Sequence, residues 1–532
     1  MKSGNYNLWN KRTAQLIIVF TILFVLLGSG GCVFPPRLTA EDRRSDVEFL
    51  ARWARDYHPC VEVNLKAAGL DDYEKLLPKY VDLAEQARTN EEFLQVVWGY
   101  FTLIGASGHG YLLDEDSLLG YMENSWRHGA KGLSDIPWGR FWEARYWAGL
   151  HKKCFAHAPF RINREGEDYF TGEDWSSWGK RIPAASQIVR VNGMSCSQYK
   201  NYLKRETALR YVAGNADRFT DPLLAVNEGP GFRGWDVSFR LPDGSECDRF
   251  VPRLKGWRRP DESRFRNWRK GNCECVELSD EVGYVRIKLM VGGWEESDGK
   301  KIRLFLEKSQ GRYKKLIIDL RHNGGGSPIY VFENLIRPFL NEPLVYKLIS
   351  GIKRKVLTDD LYVVRLGAWE TAIDEVPPPA GFDPNQWVFH EMHREVKPSD
   401  RYVFDGDMYV LMDQYSASAT ETYLDAVKRT GLATLVGQRS AGAGGDYIIA
   451  PVMRLPASGM IFRMAADLDI NPDGTFLELT GVQPDVELPS CPLPHRVDRE
   501  ILLKDPWIQA VINGLSTPEQ TFLPSTNRNK GT

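Results

Sequence analysis

Residues 316–327 read LIIDLRHNGGGS, an apolar stretch of strand length that opens into three consecutive glycines. A strand ending this way lets backbone N–H groups approach a bound group with no side chain between them. A phosphate loop is the rival reading, but no Gly-Lys-Ser/Thr follows, so nucleotide cradling is disfavoured. Other short apolar runs, 284–287, 408–412 and 433–436, alternate with helical segments from Val282 onward. That alternation predicts an α/β domain.

The rest of the chain has other patterns. At about 150 residues per domain, 532 residues suggest three to four domains. Residues 1–32 read as an export signal: Lys2, Lys11 and Arg12 precede an uncharged apolar run, 16–27, and then Gly28-Ser29-Gly30-Gly31-Cys32. The run is shorter than a membrane-spanning helix needs, which favours a cleaved or lipid-anchored export signal over a permanent span, with a plain signal peptide or uncleaved anchor as the alternative. The small residues before Cys32 resemble a bacterial lipobox, with Ser29 where Leu is usual, so Cys32 is the expected lipidation site. The expected location is extracytoplasmic, in a bacterial cell envelope, with the membrane reached through that anchor or the signal segment. Lys plus Arg number 68 against 70 for Asp plus Glu, and this near balance disfavours a nucleic-acid partner. Seven cysteines then lie in an oxidising compartment, an odd number that leaves at least one without a partner in the chain.

Residues 41–112 carry helical spacing (Val47, Leu50, Trp53, Tyr57; Phe93, Val97, Phe101, Ile104), with a capping box at Thr89 and Glu92. Residues 113–275 are rich in tryptophan and turn signals and read as a mostly β module; 186–193 is a strand closed by an Asn-Gly turn. A basic stretch, 253–270, reads as a solvated loop, with a contact surface as the alternative. Within the α/β region, 276–490, an insertion at 346–402 is expected to form a lid or rim loop. The extension 491–532 is expected to fray past Trp507. No metal site is expected: Cys273-Glu-Cys275 lacks companion ligands, and His390-Glu-Met-His393 has the wrong spacing for a zincin.

In residues 412–427 a buried strand runs through small residues into a helix, with Ser418 at the junction. Ser418 and Glu421 fit a capping box, so Ser418 has a purely structural reading. A helix N-terminus also suits a nucleophile, because its amides and dipole stabilise an adjacent oxyanion.

Four ordered blocks decide between these readings. They are Asp319 to Gly326 (D-L-R-x-N-x-G-G), Ser416 to Glu421 (S-A-S-A-x-E), Gly437 to Gly442 (G-x-x-[ST]-x-G) and Glu478 to Asp485 (E-x-x-G-V-x-P-D). Together they resemble the C-terminal processing, or tail-specific, serine peptidases over about 282–489. The resemblance implies an α/β fold with a crotonase-like, caseinolytic-protease-like core, an N-terminal helical domain and a mostly β middle module. It also implies Ser418 as nucleophile. Many family members continue the third block with a lysine that serves as general base, but Ala443 stands there in this chain. A serine hydroxyl needs a base, so another residue supplies it or the protein is inactive.

A second, tricorn-like branch of the family uses a histidine from outside the core, and residues 106–110 (ASGHG) resemble its D-G-H-T. The resemblance therefore implies His109 as base, Glu478 and Ser107 as supporting members, and the amides of Gly324 or Gly325 and of Ala419 as oxyanion hole. His322, beside the glycines, is the competing base, and Glu478 has the alternative of pairing across a hairpin after the turn at Pro472-Asp-Gly474. Asp319 and Arg321 read as loop anchors. Residues 188–193 resemble the signature of the family's PDZ-like peptide-binding module, with an ordinary hairpin as the alternative. The expected activity is serine endopeptidase chemistry on a peptide or protein substrate, without cofactor. A catalytically inactive peptide binder and a serine esterase are the alternatives.

Overall fold

The computed structural model describes residues 35–515 apart from 62–74, 105–109, 113–137, 161, 166–167, 178, 207–221, 228–230, 256–270, 291, 359–362, 365–369, 400–403, 444–447, 450–452, 466, 472–473, 490, 492 and 494–496. The basic stretch past Lys255 thus lies outside the described residues.

Three helices open the described chain: α1 (Ala40–Tyr57), α2 (Leu77–Gln86) and α3 (Asn90–Ile104). Thr39 and Asp42 form a capping box on α1. On α3, Thr89 Oγ1 accepts the Glu92 amide at 3.1 Å while Glu92 accepts the Thr89 amide at 3.4 Å. Val47, Leu50, Phe93, Val97 and Phe101 bury one common face. The short strand β1 (Tyr111–Leu112) follows and pairs antiparallel with Ile461–Arg463, far along the chain. Helix α4 (Trp138–Cys154) adds Trp147, Leu150 and Cys154 to the same core. It falls in the region expected to be mostly β; the three- and four-residue spacing of those positions is helical, and the richness in tryptophan obscured it.

The middle module is a six-stranded antiparallel sheet. Strands β2 (Ile162–Glu165), β3 (Asp168–Thr171), β4 (Gln187–Val191), β5 (Gly234–Arg240) and β6 (Glu246–Pro252) lie in the order β6-β5-β4-β3-β2, and Met194–Ser195 folds back on β4. The hairpin turn at Asn192-Gly193 has positive φ at both residues, 49° and 78°, as a tight two-residue turn requires. Helix α5 (Cys196–Glu206) packs against β4 through Tyr199.

The core sheet begins with β7 (Cys273–Ser279), so its boundary lies a few residues before the expected 276. It continues with β8 (Val282–Ile287) and β9 (Lys315–Asp319), which flank helix α6 (Glu295–Lys308).

The insertion is a sheet where a lid loop was expected. Strands β10 (Leu344–Lys353), β11 (Glu370–Val376) and β12 (Trp387–Val396) pair antiparallel in the order β11-β12-β10. Their buried members, among them Leu348, Ile352, Val388 and Met392, supply a small core of their own.

The core sheet then resumes with β13 (Asp407–Met412), helix α7 (Ala419–Thr430) and β14 (Thr434–Gly437). After β15 (Ile461–Arg463, the partner of β1), strand β16 (Asp467–Ile470) joins the free edge of β10. Strand β17 (Val486–Glu487) completes the order β7-β8-β9-β13-β14-β17, in which every neighbour after β7 is parallel. Helices α6 and α7 cover one face of this sheet. The other face is covered by the C-terminal segment, where Leu502 and helix α8 (Pro506–Ile512) bury Trp507, Ile508 and Val511. The fraying expected past Trp507 therefore does not begin there.

All seven described cysteines are free thiols, with the sulfurs of Cys273 and Cys275 3.9 Å apart. Among the described residues no helix is long and apolar enough to cross a membrane.

Candidate active site

Strands β9, β13 and β14 run parallel and in register, with Asp319 beside Leu411 and Met412 beside Gly437. Their C-terminal ends therefore release three loops side by side, the position at which open α/β sheets hold their ligands.

The second loop ends at Ser418, the N-cap of α7, with φ 57° and ψ −126°. A non-glycine residue held there stores about 1–3 kcal/mol of strain, which neighbouring contacts must maintain. They do. The Ala417 amide donates to the Asn323 carbonyl at 3.0 Å, the Glu421 carboxylate accepts the Ser418 amide at 3.2 Å, and the capping box with Glu421 is formed. Capping and a nucleophile's position thus coincide in one residue. Ser416, the first serine of the block, is spent on structure: its Oγ donates to the Leu320 carbonyl at 2.9 Å and accepts the Asp413 amide at 3.0 Å.

The glycine loop lies directly against this turn. Gly325 has φ 89°, and a Cβ there would come within 2.7 Å of both the Ser418 Cβ and the Ala419 nitrogen. The Gly325 amide donates to Asn323 Oδ1 at 2.9 Å, and the same oxygen accepts Thr420 Oγ1 at 3.0 Å. Gly325 therefore supplies clearance, and its N–H is already committed. Among the described residues the amides of Gly324 and Ala419 donate to nothing, and a Cβ on Gly324 would meet open space.

Glu421, expected from the sequence only as a capping partner, is the hub of the site. Fully buried, it accepts Ser440 Oγ at 2.5 Å together with the amides of Ser418, Gly442 and Ala443. Ser440 Oγ in turn accepts the Val482 amide at 2.7 Å, and a Cβ on Gly481 would lie 2.5 Å from the Ser440 carbonyl oxygen. Blocks two, three and four are thereby tied to one carboxylate. Ala443, where a lysine base would stand, is 1% exposed and packs with Ala417 and Ala441. No lysine stands at that position.

Glu478 sits on the single helical turn Leu477–Thr480, which follows the antiparallel bridge between Ile470 and Phe476 on either side of the turn. It is 1% exposed, and the Asp469 amide donates to it at 3.3 Å. Burial, then the neighbouring Asp469 and Asp467, push its carboxyl well above the usual range. His322 points Nε2 at Asp413 Oδ2, 3.1 Å away, and its ring lies 4.5 Å from that of Tyr415. Burial lifts Asp413 to about 6. The competing base at His322 is thus engaged with Asp413, a partner the sequence did not reveal. Asp319 and Arg321 are anchors, as expected: burial works against the Asp319 carboxylate, but Arg321 beside it holds it down at about 2. His109, Ser107 and Cys32 lie outside the described residues. Among the described residues no three His, Cys, Asp or Glu side chains gather as a metal site would require.

Parallel strands delivering a strained serine to a helix N-terminus, against a glycine loop, define an α/β core of the serine-peptidase kind. Residues 281–488 match the family model of peptidase family S41, so this part of the chain is similar to the peptidase domain of that family. Relatives by sequence include a protein of Chlamydia pneumoniae, 25% identical over 206 residues, covering 32% of this chain and 33% of the relative. An uncharacterized protein of Chlamydia muridarum is 24% identical over 262 residues, covering 40% of this chain and 41% of its own length. The matches thus span well under half of those relatives. Among solved structures, mature CPAF superposes with a TM-score of 0.56 at 14% identity, over 85% of this chain and 93% of that one, which shows a shared fold.

Proposed function

We propose that this chain is an exported serine peptidase that cleaves peptides or the C-terminal regions of proteins through an acyl-enzyme, with tricorn-like catalytic residues. The observation that carries the reading is Ser418, held at positive φ on a helix N-terminus with Gly325 against it, and with uncommitted amides on the chain neighbours Ala419 and Gly324 of these two residues. In the proposed reaction Ser418 Oγ attacks a peptide carbonyl as His109 takes its proton. The two amides then hold the tetrahedral oxyanion, and water releases the acyl group.

His109 precedes β1 by two residues, and β1 pairs with β15, the strand that leads into β16 and its contact with Glu478. This topology supports the pairing of His109 with Glu478: a buried carboxyl with a raised pKa is the group that an imidazolium would return to its charged form. Ser107 completes the proposed set. The middle module is proposed to grip substrate by strand addition, in the manner of PDZ-like modules. Cys32 is proposed as a lipid anchor at the cell envelope.

The test is labelling by a fluorophosphonate probe of the wild type, Ser418→Ala and His109→Ala, with mass spectrometry to locate the adduct. Labelling at Ser418 that both substitutions abolish is the expected result. No labelling of the wild type would favour a peptide-binding protein on a peptidase fold. Turnover of small esters without peptides would favour an esterase.

A further inference from the structure

The C-terminal helix α8 is tied to strand β9 and the loop that follows it by side-chain hydrogen bonds as well as by apolar packing. Its N-cap, Asp505, accepts the Trp507 and Ile508 amides through Oδ1 at 2.9 and 3.2 Å, while Oδ2 accepts Arg321 Nη1 at 2.8 Å. Arg321 is the residue from which the glycine loop departs. Its backbone amide, Nε and Nη2 are all committed to Asp319, at 3.0, 3.0 and 2.7 Å, and Asp319 also accepts the Tyr284 hydroxyl. The Arg321 and Asp505 side chains are each 1% exposed, and the guanidinium lies 5.2 Å from the Trp507 ring. The other end of α8 is held by the same strand, β9: Lys315 Nζ donates to the carbonyls of Val511 and Ile512 at 3.0 and 3.1 Å.

Trp507 also fixes the third loop. A Cβ on Gly437, where that loop begins, would lie 2.4 Å from the Trp507 ring. One helix thus backs the loop that carries Gly324 and the loop that carries Ser440, and the latter reaches Ser418 through Glu421.

From this geometry we infer that Asp505 and Trp507 are positioning residues of the acyl-transfer site: they set where the glycine loop stands relative to Ser418. The inference rests on the serine-hydrolase reading above. Its physical basis is the conformation of the loop. His322, Gly325 and Gly326 all have positive φ, at 58°, 89° and 141°, so intrinsic backbone preference does little to define the path. The path is set by what the loop is tied to: Arg321 at its start, Asp413 and Ile287 in the middle, where they accept the His322 amide at 2.8 Å and Asn323 Nδ2 at 2.9 Å, and Met290 at its end, where the Ser327 amide donates to the Met290 carbonyl at 2.7 Å.

Asp505→Asn separates positioning from folding. Asparagine is as good an N-cap as aspartate, and the Arg321–Asp319 pair stays intact, so no buried charge is orphaned. Saturation labelling with a fluorophosphonate should show kinact lowered about tenfold or more with KI unchanged, since displacing an oxyanion donor slows chemistry and leaves probe binding alone. An unchanged kinact overturns the inference. Amide exchange over 322–326 is measured in the same proteins and decides the matter even if the wild type is not labelled, an outcome that would count against the hydrolase reading alone. Faster exchange confined to that loop is expected, and unchanged exchange overturns the inference. Should Asp505→Asn fail to fold, Trp507→Phe gives the same two readouts.

Discussion

Gly325 and Ser418 touch across two loops that are 93 residues apart in the chain: a methyl group on the glycine would stand 2.7 Å from the serine Cβ. The backbone of one loop therefore forms a wall beside the side chain of the other, and substitutions at either position report on the same space.

Gly325→Ala places a Cβ against the Ser418 Cβ and the Ala419 amide, at a φ of 89° that L-residues rarely adopt. Labelling of Ser418 should fall roughly a hundredfold or more, the scale of losing one oxyanion donor. The rate of fluorophosphonate labelling checks this, and a rate within a few-fold of wild type would mean that the two loops are not in contact.

Ser418→Gly should have opposite effects on activity and stability. Glycine adopts φ 57° without strain, so the variant should gain about 1 kcal/mol while losing all labelling. Urea denaturation measures the gain. A loss of stability would show that the serine's capping outweighs the strain of its backbone.

Glu421→Gln converts half of an acceptor-only hub into a donor that faces other donors. With four incoming hydrogen bonds at a buried carboxylate, the expected cost is about 2–4 kcal/mol. Labelling should be lost along with the drop in Tm, because the same group holds the Ser418 turn. A variant that keeps both would remove Glu421 from the centre of the site.

His58 gives the fold a dependence on acid. Its ring is buried, with Nδ1 3.0 Å from the Ala465 carbonyl, and burial, aided by the nearby Lys353, lowers its pKa to about 4. The unfolded chain takes up this proton near pH 6.5 and the folded chain only near 4, so stability from this group is complete above 6.5 and lost as pH falls toward 4. The full effect is about 3 kcal/mol. Tm measured from pH 7 to 4.5 should fall less steeply in His58→Gln than in the wild type, and parallel curves would refute the assignment.

What could be read in advance was what local pattern encodes. The four core strands 284–287, 316–320, 408–412 and 433–436 were found within a residue or two, because a buried strand next to glycine or a helix cap is a short-range signal. The Asn192-Gly193 turn was legible for the same reason. The insertion differs from the expected loop because its first strand, β10, finds its partners far along the chain, with Lys353 beside Trp387 in β12 and Ile349 beside Ile470 in β16. The tail was misread although Asp505-Pro506 is a helix start with both N-cap and N1 residues in place. The polar residues beyond 515 mask that signal in the composition. Ser418 and Glu478 were picked out by motif. The convergence of four donors on Glu421 and the grip of Asp505 on Arg321 arise from tertiary packing and leave no trace in spacing.

The attachment of β16 to β10 also bears on how this domain can be trimmed. Four ladder positions, Ile349 to Ile352 against Ile470 to Asp467, fill one side of the strand that ends beside Glu478. Excising 344–402 to obtain a smaller core would leave those backbone groups facing water as a bare edge, next to a carboxyl whose setting depends on staying dry. An exposed edge of this kind recruits strands from other molecules. A shortened protein would therefore tend to self-associate through the strand nearest its proposed catalytic glutamate, so the appended sheet acts as a guard against aggregation and cannot be treated as a removable ornament.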